Sequence, residues 1–146
     1  MKISTRGRYA LRMLLDIAEN QQGNYVSLKD ISERQDISKK YLEQIVPYLT
    51  SAGFISAGRG HMGGYKLSKE PSRISVADVL RVTEGELAPV SCLGNESVVC
   101  PRAGECDTLF IWKGLMEVIE DYLDNVTLWD ILARKNRKKQ DDYVLL

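Results

Sequence analysis

A chain of 146 residues is about one domain long and can bury a core without disulfide staples. With 44% hydrophobic and 27% charged residues its composition is ordinary for a globular protein, which excludes overall disorder, and no apolar run approaches the ~18 residues of a membrane span. The formal net charge of zero hides an asymmetry: residues 1–70 carry eleven Lys/Arg against seven Asp/Glu, and residues 71–146 carry nine against thirteen, so the basic half points to a polyanionic partner. The first residues, Met1-Lys2-Ile3-Ser4-Thr5-Arg6, lack the apolar stretch of a signal peptide, and the chain is expected to be cytoplasmic with no membrane partner.

The first helix is predicted from about Thr5 to Asn20, capped by Ser4 or Thr5, because Ala10, Met13, Leu14, Ile17 and Ala18 fall on one face. A second starts at the cap Ser27, with Asp30 at the box position and Val26 and Ile31 as a hydrophobic staple. A third repeats that punctuation with Ser38 as cap, Ile37 and Leu42 as staple, and Leu42, Ile45, Val46 and Leu49 as the inward stripe. Only a short turn around Gln35-Asp36-Ile37 separates the two, which is the pattern of a helix-turn-helix. Phe54-Ile55, a glycine-rich tip and Tyr65-Lys66-Leu67 then form a β-hairpin, read here as a wing.

Ser75 and Asp78 open a further helix that ends near Glu84-Gly85. Residues 85–106 lack helical periodicity and form a long loop holding Cys92, Cys100 and Cys106. From Asp107 to about Asn125 runs the longest predicted helix, whose Leu109, Trp112, Met116, Ile119, Leu123 and Val126 are spaced as an a/d seam, widened by Leu115 and Tyr122. A seam needs a partner helix, and a homodimer is inferred. Thr127 caps a last short helix, followed by the basic run Arg134 to Lys139 and a tail ending in Leu145-Leu146. The fold class is therefore mainly α with a small β-hairpin wing. The divisions are 1–84 for a winged helix-turn-helix, 85–106 for the cysteine loop, 107–126 for a dimerisation helix, and 127–146 for a short helix and tail.

If Ile45, Val46 and Leu49 face inward, then Lys39, Lys40, Glu43 and Gln44 face outward. Gln pairs with adenine, Glu with the cytosine amino group, and Lys with guanine or phosphate. Ser38 at the helix start can meet a phosphate, and Arg59, set between glycines, can enter a narrow minor groove. The three cysteines lie within fifteen residues with the spacing C-x7-C-x5-C. Soft thiolates favour zinc or iron–sulfur clusters, and the odd count argues against a closed disulfide framework. There is no phosphate-binding Walker loop, no Ser/His/Asp set and no paired-carboxylate cleft, so no enzyme is expected. The single histidine, His61, falls at the wing tip, and Trp112 and Trp129 are read as core or dimer-interface residues.

Several stretches together carry a family resemblance. They are Met1-Lys2-Ile3-Ser4-Thr5-Arg6-Gly7-Arg8-Tyr9-Ala10-Leu11, Ile37-Ser38 with Tyr41-Leu42-Glu43-Gln44, Arg59-Gly60 with Gly63-Gly64-Tyr65, Glu84-Gly85, the cysteine trio and Thr127-Leu128. Over roughly residues 1–133 the chain resembles the Rrf-two family of bacterial winged-helix regulators. The resemblance implies a homodimer on a palindromic double-stranded DNA operator, with the third helix in the major groove and the wing in the minor groove. It makes Ser38, Tyr41, Glu43, Gln44 and Arg59 DNA contacts. It makes Cys92, Cys100 and Cys106 ligands of a 2Fe-2S or 4Fe-4S cluster whose state controls DNA binding, in the service of cluster assembly, sulfur metabolism or a nitrosative response. A second branch of the family implies the alternative: a cluster-free, partner-regulated repressor of cysteine metabolism, with spare thiols or a zinc site and cysteine synthase as partner of the tail.

Overall fold

The computed structural model describes residues 1–94 and 100–144. Six α-helices and one two-stranded hairpin follow in the order α1 (Thr5–Asn20), α2 (Leu28–Gln35), α3 (Lys39–Ser51), β1 (Ile55–Gly58), β2 (Gly64–Leu67), α4 (Val76–Glu84), α5 (Leu109–Asp124) and α6 (Leu128–Val144). Single 3₁₀ turns at Pro71–Arg73 and Ser91–Leu93 complete the described elements.

The serine punctuation operates as local chemistry requires. Ser4, Ser27, Ser38 and Ser75 are N-caps whose hydroxyls accept from Gly7, Asp30, Tyr41 and Asp78 N–H groups. Only Ser75 and Asp78 close a full capping box. Asp36 ends α2 in the left-handed conformation (φ 52°, ψ 49°), which turns the chain sharply into α3. An aspartate tolerates that conformation better than a branched residue does. Of the expected inward stripe of α3, Leu42, Ile45 and Leu49 are fully buried beside Met13, Leu14 and Ile17 of α1 and Ile31 of α2, while Val46 is half-buried against them. Each such side chain contributes about 1.5–3 kcal/mol by leaving water.

The wing is an antiparallel ladder pairing Ile55 with Leu67 and Gly58 with Gly64. An isolated bridge between Val26 and Tyr65 adds the segment before α2 to its edge. A second bridge, Ser75 with Thr127, joins the starts of α4 and α6 and buries Leu128 completely.

Two expectations are revised. The C-terminal helix is not short: α6 continues through the basic run to Val144, because those residues are good helix formers and Lys135 pairs with Glu19 of α1 at 2.6 Å. Residues 145–146 of the expected tail, and residues 95–99 of the cysteine loop, lie outside the described residues. The α5 seam is also divided. Ile119, Leu123 and Val126 pack within the chain on Val76, Ala77, Leu80 and Leu87, and Arg81 of α4 grips Asp124 of α5 at 2.8 and 3.0 Å. What stays uncovered is the neighbouring stripe, Ile111, Leu115, Val118 and Tyr122, with Phe110 beside it. Trp129 on α6 is also exposed rather than core. No helix among the described residues is long and apolar enough to cross a membrane.

A buried carboxylate sets the angle between the first two helices. Asp16 of α1 is 3% exposed and accepts from Arg34 at 2.7 and 3.0 Å and from Gln35 at 2.9 Å, both at the end of α2. Removing the cation strands a buried anion, whereas neutralising the anion leaves an arginine that is 40% exposed and can turn to water. Arg34→Ala is therefore expected to cost about 3 kcal/mol and Asp16→Asn about half of that. Urea denaturation of the two variants checks the order, and a larger loss for Asp16→Asn would overturn it.

Candidate nucleic-acid interface and cysteine loop

The outer edge of α3 is a continuous row of exposed polar side chains: Ser38, Lys39, Lys40, Glu43 and Gln44. The burial of Leu42, Ile45 and Leu49 on one side of α3 enforces this, because the opposite side is then left facing away from the core. The Ser38 hydroxyl accepts the Tyr41 N–H at 3.1 Å and keeps its own O–H to donate, as a phosphate contact requires. Pro47 within α3 has no N–H to give to the Glu43 carbonyl, so that carbonyl lacks its helical partner. Arg59 is exposed in the turn between β1 and β2, followed by Gly60 at φ +93°.

Tyr41 differs from its neighbours in this row. It is half-buried, with its ring edge-on to Tyr9 of α1 (centroids 5.6 Å, interplanar angle 83°). Arg12 lies 5.2 Å from the Tyr9 centroid and donates to the Gln35 side chain at 3.2 Å and to the Gln35 carbonyl. One α1 turn thus braces both the end of α2 and the first turn of α3. A further brace stands at the other end of α3. Arg6 donates to the Tyr48 hydroxyl at 3.0 Å, lies 4.6 Å from that ring centroid, and donates through Nε to the Thr83 carbonyl at 3.0 Å. Sequence reasoning assigned none of these arginines. The signal available was the Tyr9/Arg12 spacing of three on a helix whose other face is core.

The cysteine loop leaves from the last turn of α4. There Ser4 donates through its N–H (3.0 Å) and its hydroxyl (2.5 Å) to Glu84. Cys92 sits half-buried in the 3₁₀ turn, Cys100 is half-buried, and Cys106 is exposed just before α5; all three are free thiols. The Thr108 hydroxyl, 3.5 Å from Cys106 Sγ, together with the Thr108 and Leu109 N–H groups, holds that thiol below its ordinary pKa. Three thiols are a suitable donor set for a soft metal or a cluster. In the single chain, however, they do not converge: among the described residues no three His, Cys, Asp or Glu side chains surround a point that could hold a metal ion. The donor chemistry fits such a group, whereas the observed arrangement does not gather it.

A helix-turn-helix with an exposed polar row and a flanking wing is the architecture of a DNA-binding transcriptional regulator. The comparisons place it further. The Rrf2 family model, described as "Iron-dependent Transcriptional regulator", matches residues 3–134. The HTH-type transcriptional regulator IscR of Vibrio parahaemolyticus is 37% identical over 133 residues, covering 91% of this chain and 78% of that protein. Among solved structures, CymR (YrzC), the global cysteine regulator of B. subtilis, is similar with a TM-score of 0.75 and 36% identity over 92% of this chain and 98% of that one. T. potens IscR is similar with a TM-score of 0.73 and 35% identity, over 92% and 88%. The chain belongs to the Rrf2 family of transcriptional regulators.

The loop geometry makes one chemical prediction. Exposure and a stabilised thiolate together should make Cys106 the first of the three thiols alkylated at neutral pH. Peptide mass spectrometry after brief iodoacetamide treatment reads this, and faster labelling of Cys92 or Cys100 would contradict the geometry.

Proposed function

We propose that the protein is a homodimeric regulator that reads a palindromic operator with α3 in the major groove and the wing in the minor groove. The exposed row on α3 carries this reading. Gln44 and Glu43 have the acceptors and donors to read base edges, Lys39, Lys40 and Ser38 suit phosphates, and Arg59 suits a narrow A·T-rich minor groove. Tyr41 contributes by holding the first turn of α3 against Tyr9. Glu43, a carboxylate facing a polyanion, selects by penalising sites that offer it no amino group.

The dimer rests on the uncovered stripe of α5, since four apolar side chains on one helix face are what a second copy buries. Two heads on one axis also match a palindrome with half-sites about one helical turn apart. Val118, 66% exposed in the middle of the stripe, is the place to test this. Val118→Asp should yield monomers in sedimentation velocity and lower affinity for the operator by at least about ten-fold, because each head then binds alone. A dimeric variant with unchanged affinity would remove α5 from the interface.

The cysteine loop is assigned the sensing role. A 2Fe-2S or 4Fe-4S cluster held by Cys92, Cys100 and Cys106 is the first candidate cofactor, supported by the three-thiol donor set and by the likeness to T. potens IscR. The second reading, a cluster-free repressor regulated by a partner such as cysteine synthase, is favoured by the separation of the thiols and by the likeness to the B. subtilis cysteine regulator. Anaerobic purification with iron, sulfide and zinc analysis separates the two. Matching iron and sulfide that disappear when all three cysteines become Ala, with a change in operator affinity, supports the cluster sensor. Colourless, iron-free protein, even after reconstitution, supports the partner-regulated reading.

A further inference from the structure

The short connection between α1 and α2 is more than a linker. Val26 exchanges two backbone hydrogen bonds with Tyr65 of the wing, each 2.8 Å. Gly64 fits beneath it so closely that a Cβ there would stand 2.3 Å from the Val26 carbonyl oxygen. This bridge carries Tyr25, 40% exposed, to the side of the hairpin. A Cβ on Gly58 would lie 2.6–2.7 Å from three atoms of the Tyr25 ring, so the aromatic ring rests directly on the Gly58 backbone. Lys66 of β2 places its ammonium 4.7 Å from the centroid of the same ring. One aromatic side chain therefore touches β1 at its last residue and holds a cation on β2.

Gly58 is the residue before Arg59. The turn beyond it contains Gly60 and Gly63, which resist bending little. The aim of Arg59 consequently depends on what fixes its root, and the ring of Tyr25 is in contact with that root. An exposed tyrosine loses water-accessible area here without joining the main core, which is the behaviour of a side chain that props up a neighbour.

We propose that Tyr25 is the positioning residue of the wing: its ring fixes the root of Arg59 and the ammonium of Lys66 so that both meet the minor groove of double-stranded DNA together. This rests on the reading of Arg59 given above. Tyr25 acts through Gly58 and Lys66, not by reading bases itself. The ring carries this role and the hydroxyl does not, so phenylalanine is an adequate replacement.

The test uses the full chain and a duplex selected by the parent protein from a random library. Hydroxyl-radical footprinting locates the base pairs under the wing, and two duplexes are made that differ only in having A·T or G·C pairs there. The readout is the ratio of the two affinities, which general loss of folded protein does not change. Arg59→Ala should lower affinity for the A·T duplex by about ten-fold and abolish the preference. Tyr25→Ala should lose most of the same preference, Tyr25→Phe should keep it, and Tyr25→Ala combined with Arg59→Ala should show the same lack of preference as Arg59→Ala alone. Gly58→Ala, which pushes on the ring from the opposite side, should reproduce the loss. It should add nothing in the Tyr25→Ala background, where the space is free. If Arg59→Ala is harmful while Tyr25→Ala is silent, or if the two losses simply add, the role of Tyr25 is overturned and the minor-groove reading survives. If Arg59→Ala itself changes nothing, the wing does not read the groove and both ideas fall.

Discussion

The ion pair between Asp16 and the end of α2 is the constraint on which the reading head depends. A carboxylate inside the domain needs its partners in place, and they are supplied by Arg34 and Gln35, the last residues before the turn into α3. The position of that turn is thereby referred to α1. Asp36 then bends the chain through a left-handed residue, and Ser38 restarts it, so the direction of α3 follows from that of α2 over three residues. The buried stripe of Leu42, Ile45 and Leu49 decides which side of α3 faces outward, and this chain of constraints sets the direction in which that side is presented.

The N-terminal half of α1 serves a second purpose. Arg12 holds the Gln35 carbonyl, and Arg6 holds both Tyr48 near the end of α3 and the Thr83 carbonyl near the end of α4. Glu84 binds Ser4 beside it, and Gly7 leaves the room: a Cβ there would come within 2.4 Å of the Glu84 carboxylate. Two elements of different function therefore meet on one helix turn. One is α3 with its exposed polar row, and the other is the last turn of α4 from which the cysteine loop departs.

The parts of the fold that were legible from the sequence are those decided within four residues. Serine caps, the staples at Val26/Ile31 and Ile37/Leu42, and the glycine-rich wing tip are local chemistry, and the helices and hairpin fall where those signals put them. The outward row of α3 was legible for the same reason, since a three-residue apolar stripe defines both faces of a helix. What periodicity could not decide was which surface each stripe meets. The α5 pattern is equally compatible with a second copy and with α4. The structure gives Ile119, Leu123 and Val126 to α4 and leaves the stripe beside them bare. Nor could it show contacts across 42 or 77 residues of chain, such as Arg6 with Tyr48 and Thr83, because an arginine in a basic N-terminal segment carries no mark of its partner.

The position of the loop bears on how its chemistry could reach DNA. Its beginning is tied to α1 through Thr83 and Glu84, and its end runs into α5, which Arg81 fastens back onto α4 through Asp124. The loop is thus closed at its base by α4, whose last turn is linked through Arg6 to Tyr48 of α3 and through Arg81 to Asp124 of α5. A change confined to the thiols has no lever on α3 unless it moves that turn, since coupling needs a packed element that both sites bias. Around that turn stand one bidentate arginine pair, one serine–glutamate pair and one arginine that also holds Tyr48, beside the apolar packing of Val76, Ala77 and Leu80 on Ile119, Leu123 and Val126.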